Sequence, residues 1–317
     1  LDGDAALAFH QVLDLMSAGT PFEEVLFDIL VPIQTDVGRR WVEGDYGIGD
    51  EHAVSESLEK VVALLAGSFD QPVDGVHVVL SDAEGDTHSL PAKVIAAYLS
   101  YRGFRVTNLG ATLPADELQE ALELHQPSAL VLTCTMAGNL PGARRCIAAA
   151  HRAGIPVVAG GRGFGSSDER ARRLGADAWL SNPRLLDGLL GRWEPDIVAS
   201  EAAAADLVEA KLAERWADVG AVAEAVAGAH DLRGSRAAAL RLDVGMFVNT
   251  LDAAVLVEDP TPFVELAEWH RAYVAAGDRP ATTESILEQL LTRFNDVDDR
   301  VRPILATAVE GAGASAG

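Results

Sequence analysis

The sequence predicts an α/β domain carried between two all-α segments. Three observations support this. Between residues 75 and 192, five short apolar runs alternate with four helical patterns, the signature of a doubly wound parallel sheet. Residues 5 to about 70 and residues 200 to 312 instead show helical periodicity, the latter with no strand signal. The stretch Gly191-Arg192-Trp193-Glu194-Pro195 has the composition of a linker between the second and third parts. The expected boundaries are therefore 1–72, 73–194 and 195–317, and 317 residues suffice for two or three separate cores.

In the first segment, Thr20-Pro21-Phe22-Glu23 combines an N-cap, a proline at the first helical position and a capping-box glutamate. Phe22, Val25, Leu26, Ile29, Leu30, Ile33 and Val37 follow at helical spacing. Pro32 falls within that pattern, so a kink or restart is expected there. The chain turns between Gly38 and Asp45. A further helix is expected near Glu51-His52, with Val54, Leu58, Val61, Val62 and Leu65 on one face. Together these make a small helical bundle.

The strands are expected at Val76–Leu80, Phe104–Leu109, Ala129–Thr133, Pro156–Ala159 and Ala178–Leu180. The helices between them are expected near 91–102, 115–125, 140–153 and 168–174. No Gly-x-Gly-x-x-Gly opens the first of these helices, so a dinucleotide fingerprint is absent. Gly160-Gly161-Arg162-Gly163-Phe164-Gly165 follows the fourth strand instead, where glycine lets backbone or ligand approach closely. The last segment reads as helices over 201–229, 233–257, 261–276 and 282–312. Thr261-Pro262 starts the third and Gly277 ends it, and Phe263, Leu266, Trp269, His270 and Tyr273 mark its apolar face.

Lys+Arg 25 against Asp+Glu 48 gives a net charge of −23. That field repels phosphate backbones and anionic lipid, which argues against a nucleic-acid or membrane surface within this chain. The acidity is spread out, as on solvated helix faces. Cys134 and Cys146 are the only cysteines, so no disulfide framework exists and a reducing cytoplasm is expected. No apolar run approaches the ~18 residues of a membrane span, and no signal-peptide pattern opens the chain. It begins at Leu1 without Met, so further sequence upstream is expected. No paired catalytic carboxylates, Ser-His-Asp order or phosphate loop assigns a reaction, and a non-enzymatic role is expected.

The chemistry concentrates in the loop from Ser81 to Pro91. It lies between the first strand and its helix, at the carboxyl edge where open α/β sheets bind ligands. Asp86 and His88 stand two apart in it. An imidazole whose other nitrogen is held by a carboxylate is the usual form of a metal-ligating histidine. Asp86-Thr87-His88-Ser89-Leu90-Pro91 resembles the Asp-x-His-x-x-Gly signature of cobalamin-binding domains, with Pro91 in place of the glycine. Leu132-Thr133-Cys134-Thr135-Met136 resembles their Ser/Thr-x-Leu/Thr element, and Val158-Ala159-Gly160-Gly161-Arg162 their Gly-Gly element.

The resemblance implies a flavodoxin-like fold binding cobalamin, with His88 as the lower axial ligand of cobalt. It implies that Thr133 and Thr135 bond the buried nucleotide tail and that Gly160 and Gly161 leave room for it. Asp86, Thr87, Met136, Arg162 and Phe164 count among the cofactor-binding residues.

Trp41-Val42-Glu43-Gly44 followed by Glu51-His52 is similar to the Trp…Glu-His element in the helical cap of CarH-type cobalamin photoreceptors. This implies that the bundle covers the upper face of adenosylcobalamin, Trp41 and Glu51 packing on the adenosyl group with His52 beside them. The residue after the tryptophan, in that family a histidine that captures cobalt after photolysis, is Val42 here and cannot ligate metal. His52 is a candidate substitute.

Cap, cobalamin domain and C-terminal helices in that order resemble photocobilins, whose globin-like helical module binds a bilin. This implies a bilin such as biliverdin, non-covalent because neither cysteine lies in the last segment. Trp216, Phe247, Trp269, His270 and Tyr273 would wall it, and Arg233, Arg236 and Arg241 would pair with its propionates. Core aromatics and solvated arginines are the alternative for these residues, and haem on His230 or His270 is a further one.

The function implied is a light sensor signalling by domain or oligomer rearrangement, with a homo-oligomer and a downstream signalling domain or enzyme as partners. Two rivals share the same residues. One is the corrinoid protein of a methyltransferase system. The other is a light-independent cobalamin-binding adapter.

Overall fold

The Asp4 carboxylate accepts the N–H groups of Ala6 and Leu7, both at 3.0 Å, and so caps α1 (Ala5–Ser17). The computed structural model describes residues 4–70, 72–193, 216–276, 282–294 and 299–314. Its contacts group into two units, one within residues 1–136 and 142–200, the other within 137–141 and 201–317.

Helix α2 (Phe22–Glu24) continues through a π-helical turn at Val25–Leu30 into α3 (Val31–Val42). The irregularity expected at Pro32 is this widened turn. Proline has no N–H for the carbonyl four residues back and its ring crowds that carbonyl, so the preceding turn loosens while the helix runs on. The expected capping box at Thr20 does not form; Pro21 takes the N-cap position without a side-chain bond. Helix α4 (Ile48–Gly67) starts earlier than Glu51, because Asp50 Oδ2 accepts the Gly47 N–H at 2.9 Å and fixes the first turn there.

The sheet holds five parallel strands in the order β2-β1-β3-β4-β5. These are β1 (His77–Asp82), β2 (Arg105–Asn108), β3 (Ala129–Thr133), β4 (Val157–Gly160) and β5 (Ala178–Leu180). Around them lie α5 (Leu90–Tyr101), α6 (Ala115–His125), α7 (Leu140–Arg152), α8 (Glu169–Arg173) and α9 (Leu186–Leu190). Strand order reverses between β1 and β3, which makes their carboxyl ends the place where such sheets take ligands. β1 runs on to Asp82, two residues past the expected Leu80, because Ser81 and Asp82 still pair with Leu132 and Thr133.

Bundle and sheet share one buried cluster that includes Phe22, Leu26, Leu58 and Leu65 together with Val78, Leu80, Tyr98 and Leu99. Burial of each such side chain contributes about 1.5–3 kcal/mol, enough to dock the bundle on α5. Phe22 also meets the rings of Phe69 and Tyr101 at 4.8 and 5.0 Å.

The second unit contains α10 (Trp216–Ala229), α11 (Ser235–Leu256), α12 (Thr261–Ala276), α13 (Thr283–Phe294) and α14 (Val301–Ala314). No strand occurs among its described residues. The helix expected over 282–312 is two, separated by a turn at Asp299 and Arg300. The expected stop at Gly277, and residues 201–215 of the expected helix 201–229, lie outside the described residues. Phe247, Leu251, Phe263, Leu290, Phe294 and Leu305 belong to this unit's core.

Candidate functional site

Asp82 and Thr133 are register partners at the carboxyl ends of β1 and β3. Beyond Asp82 the loop is pinned from several sides. The Ala83 N–H donates to Thr133 O at 2.7 Å and the Asp86 N–H to Ala83 O at 2.8 Å. Arg145 Nε on α7 donates to Glu84 Oε2 at 2.6 Å. Gly142, also on α7, lies against the loop so closely that a Cβ there would fall 1.9 Å from Glu84 O.

This clamp presents Asp86 and His88. The Asp86 side chain is 0% exposed and that of His88 49%. Asp86 Oδ1 accepts His88 Nδ1 at 2.7 Å and the His88 N–H at 3.1 Å, while Oδ2 accepts the Thr135 N–H at 2.6 Å. Burial alone would raise the Asp86 pKa, but these donors outweigh it and hold the carboxyl below its ordinary value. For His88 the Asp86 hydrogen bond raises the pKa most, against burial, and the charges of Asp86, Asp82 and Glu51 add to the rise. With Nδ1–H donated to Asp86, the lone pair is on Nε2, the half-exposed ring's other nitrogen.

Asp82 sits deeper. Its side chain is fully buried; Oδ1 accepts the Thr133 hydroxyl, and Oδ2 has no partner among the described residues. Burial pushes its pKa up to about 6, the Thr133 hydroxyl pulling it down and the Asp86 charge raising it.

The other expected residues of this edge are placed as follows. Thr133 donates its hydroxyl to Asp82, and Thr135 contributes its backbone N–H to Asp86. Thr87, Met136 and Arg162 are exposed, while Phe164 is fully buried. Gly161, at φ +98°, would place a Cβ 2.5 Å from Cys134 O, and Gly160 would place one 3.3 Å from Leu180 O. On that side the space beside both glycines is filled by the chain's own backbone, which already accounts for the need of glycine at position 161. Arg170, which the sequence did not single out, is buried under Gly165 and donates to Gly163 O at 3.2 Å.

From the bundle, Glu51 Oε1 accepts the Ser55 hydroxyl at 2.7 Å, and Ser55 in turn accepts Gln34 Nε2 at 2.8 Å. Glu51 Oε2 lies 2.7 Å from His52 Nδ1, with the His52 side chain 72% exposed and that of Glu51 24%. Trp41 and Val42 are half-buried at the end of α3. Two helical turns along α4 from Glu51, Glu59 accepts the Ser89 hydroxyl at 2.9 Å and pairs with Lys93. Glu59 was missed; its only sequence signal is a place eight residues after Glu51, on the same helix face. A separate cavity of about 470 Å³ among Ile29, Ile33, Val37, Tyr46 and Val54 includes Asp36 and Arg40, already paired at 2.7 Å.

In the second unit, Trp269 and Tyr273 stack on one another, centroids 5.1 Å apart and planes at 13°. Any flat ring would lie against this pair, not between its members. His270 is buried, with Nδ1 2.9 Å from Thr283 Oγ1, Nε2 3.7 Å from Asp243 Oδ2, and Phe247 edge-on at 5.2 Å. Phe247, Trp269, His270 and Tyr273 are thus brought together. The arginines lie on the surface: Arg233 pairs with Asp231 at 3.1 Å, Arg241 is 4.0 Å from Glu224, and Arg236 is exposed. His230 Nε2 is 2.9 Å from Ser285 Oγ. The side chain of Trp216 lies outside the described residues.

Among the described residues no group of three or more His, Cys, Asp or Glu side chains could hold a metal ion by itself. His88 offers one nitrogen, braced by Asp86. That donor set fits a metal that arrives with its equatorial ligands already attached, as cobalt does in a corrin, and not a bare ion.

Known proteins resemble this chain over the sheet domain and the bundle. A B12 binding domain model matches residues 76–181, and a second B12 binding domain model matches residues 1–66. The HTH-type transcriptional repressor CarH of Myxococcus xanthus is 29% identical over 168 residues, 51% of this chain and 55% of the repressor. The chain therefore spans about half the length of that relative. Trimethylamine corrinoid protein 1 of Methanosarcina mazei is 22% identical over 186 residues, 56% of this chain and 85% of its own. The solved monomethylamine corrinoid protein of Methanosarcina barkeri shares the fold, with a TM-score of 0.50 at 17% identity, over 59% of this chain and 91% of that one. No helix among the described residues is long and apolar enough to cross a membrane.

Proposed function

We propose that this chain, with B12-binding domains over residues 1–66 and 76–181, is a light sensor that binds adenosylcobalamin between its helical bundle and its sheet. The single observation that carries the cobalamin part of this reading is the Asp86–His88 pair at 2.7 Å; the light-sensing part is supported by the similarity to the repressor CarH. His88 Nε2 would hold the lower side of the cofactor, and Asp86 would fix the ring's tautomer and direction. Trp41 and Glu51 would hold the upper side, Glu51 kept in place by Ser55 and Gln34. When bound, adenosylcobalamin supplies a cobalt–carbon bond that visible light can break.

The protein's part is to hold, to orient and to change its arrangement. Glu51 and Glu59 share a face of α4, and Glu59 bonds Ser89 beside His88, so a shift of the bundle reaches the cobalt-ligand loop directly. This is a two-state element of the kind a ligand can bias. No reaction is assigned to the chain itself. A cytoplasmic homo-oligomer passing the signal to a separate output partner completes the proposal.

A second reading, the corrinoid protein of a methyl-transfer system, is favoured by the 85% coverage of the trimethylamine corrinoid protein. It requires an upper side open to a partner enzyme, whereas Glu51 is braced for a closed cap. A further part of the proposal is a non-covalent bilin such as biliverdin in the second unit, where the stacked Trp269 and Tyr273 would form one wall.

The test is an absorption spectrum of the chain reconstituted with adenosylcobalamin and biliverdin, taken in the dark and after illumination. Light-dependent cobalamin bands with a change in oligomer size are expected. An oligomer size and a hydrogen-exchange pattern that are the same in the dark and after illumination would overturn light sensing, and mass spectrometry showing a methyl corrinoid in protein purified from cells would favour the second reading.

A further inference from the structure

Asp82 and Asp86 are both fully buried at the carboxyl end of β1, yet they are treated differently. Asp86 receives three hydrogen bonds from this chain, on both of its oxygens. Asp82 receives one, from Thr133 on Oδ1, and its Oδ2 has no partner among the described residues. A buried carboxylate oxygen short of a donor is destabilising, and folds retain one where a ligand or a reaction supplies what is missing. The pairing of β1 with β3 does not require it, since the Asp82↔Thr133 register is made by backbone. Asp82 also lies where strand order reverses, the place where a ligand inserts between strand ends.

The chemistry of the missing partner follows from the charge. A phosphate would be repelled, whereas a hydroxyl or an amide N–H would complete the oxygen. We propose that Asp82 Oδ2 accepts a ribose hydroxyl of the nucleotide tail of cobalamin, making Asp82 a determinant of specificity for corrinoids that carry the tail. This rests on the cobalamin reading above and goes beyond the His88 contact, because it concerns the end of the ligand that does not bear the metal.

The experiment titrates the full chain in the dark, by absorbance, with aquocobalamin and with cobinamide, which has the corrin ring but no nucleotide tail. Wild type, Asp82→Ala and Asp82→Asn are compared. Asp82→Ala should weaken aquocobalamin about tenfold or more, the loss of one charge-assisted bond, and leave cobinamide affinity within about twofold. Asp82→Asn, which keeps size and one acceptor oxygen, should fall between, and it carries the test if the alanine variant does not fold. Equal weakening of both ligands, or none, would overturn the proposal while leaving the cobalamin reading intact. A wild-type chain that takes up neither ligand would overturn both.

Discussion

Glu59 on α4 accepts the hydroxyl of Ser89, the residue directly after His88, at 2.9 Å. The same carboxylate pairs with Lys93 one turn into α5. A single side chain therefore ties the helical bundle to both the loop that carries His88 and the helix behind it.

Removing that tie should loosen the bundle without unfolding it. Glu59→Ala is expected to lower unfolding stability by about 1 kcal/mol, the net worth of a partly exposed charged hydrogen bond. It should also speed hydrogen exchange in α4 while leaving the sheet protected. Urea denaturation with an unchanged midpoint would show that Glu59 carries no coupling.

Gly142 should tolerate nothing larger. An alanine Cβ would fall 1.9 Å from Glu84 O, so either α7 or the loop must move. A loss of about 1–3 kcal/mol is expected, as for other overpacked sites, together with weaker corrinoid binding. Gly49→Ala is the control. It meets nothing within 4 Å in the first turn of α4 and should leave stability equal or slightly raised. Thermal melts of the two variants give the comparison.

Corrinoid affinity should depend on pH through His88. The folded-state pKa of His88 lies above its ordinary 6.5, chiefly through the Asp86 hydrogen bond. Its contribution to the stability of the free protein is therefore complete below 6.5 and lost as pH rises through the raised value. Ligation needs the neutral ring, so affinity should run the other way, falling as pH drops through that value. Asp86, with a lowered pKa, keeps its contribution above its ordinary 3.8 and loses it as pH falls through the lower value. Binding titrations from pH 5 to 9 should show this fall on the acid side and, with Asp86→Ala, a shift of its midpoint to lower pH.

Biliverdin added to the chain should give a new long-wavelength band if the second unit binds it, and Trp269→Ala should diminish the band. A spectrum equal to that of free biliverdin would remove the bilin from the account.

Much of this was legible in the sequence where the determinant is local. β3 and β5 fall where expected because each is a short apolar run bounded by turn residues. The Asp86–His88 bond joins residues two apart on one loop, so its chemistry is written in the motif. Glu59–Ser89 and Gly142–Glu84 join elements far apart in sequence, and only the packing of α4 on α5 and of α7 on the loop brings them together. Asp82 was passed over because the apolar run stops at Leu80, while the pairing with β3 carries the strand two residues further. Thr20 looked like a cap by composition, yet Pro21 occupies that position. The break before α14 lay hidden inside a pattern of unbroken helical period.

The most direct test is the dark absorption spectrum of the chain loaded with adenosylcobalamin, compared with that of His88→Ala. The account predicts base-off, histidine-ligated cobalt in the wild type and a shift to the base-off form without a lower protein ligand in the variant. Identical bands in the two proteins would contradict it.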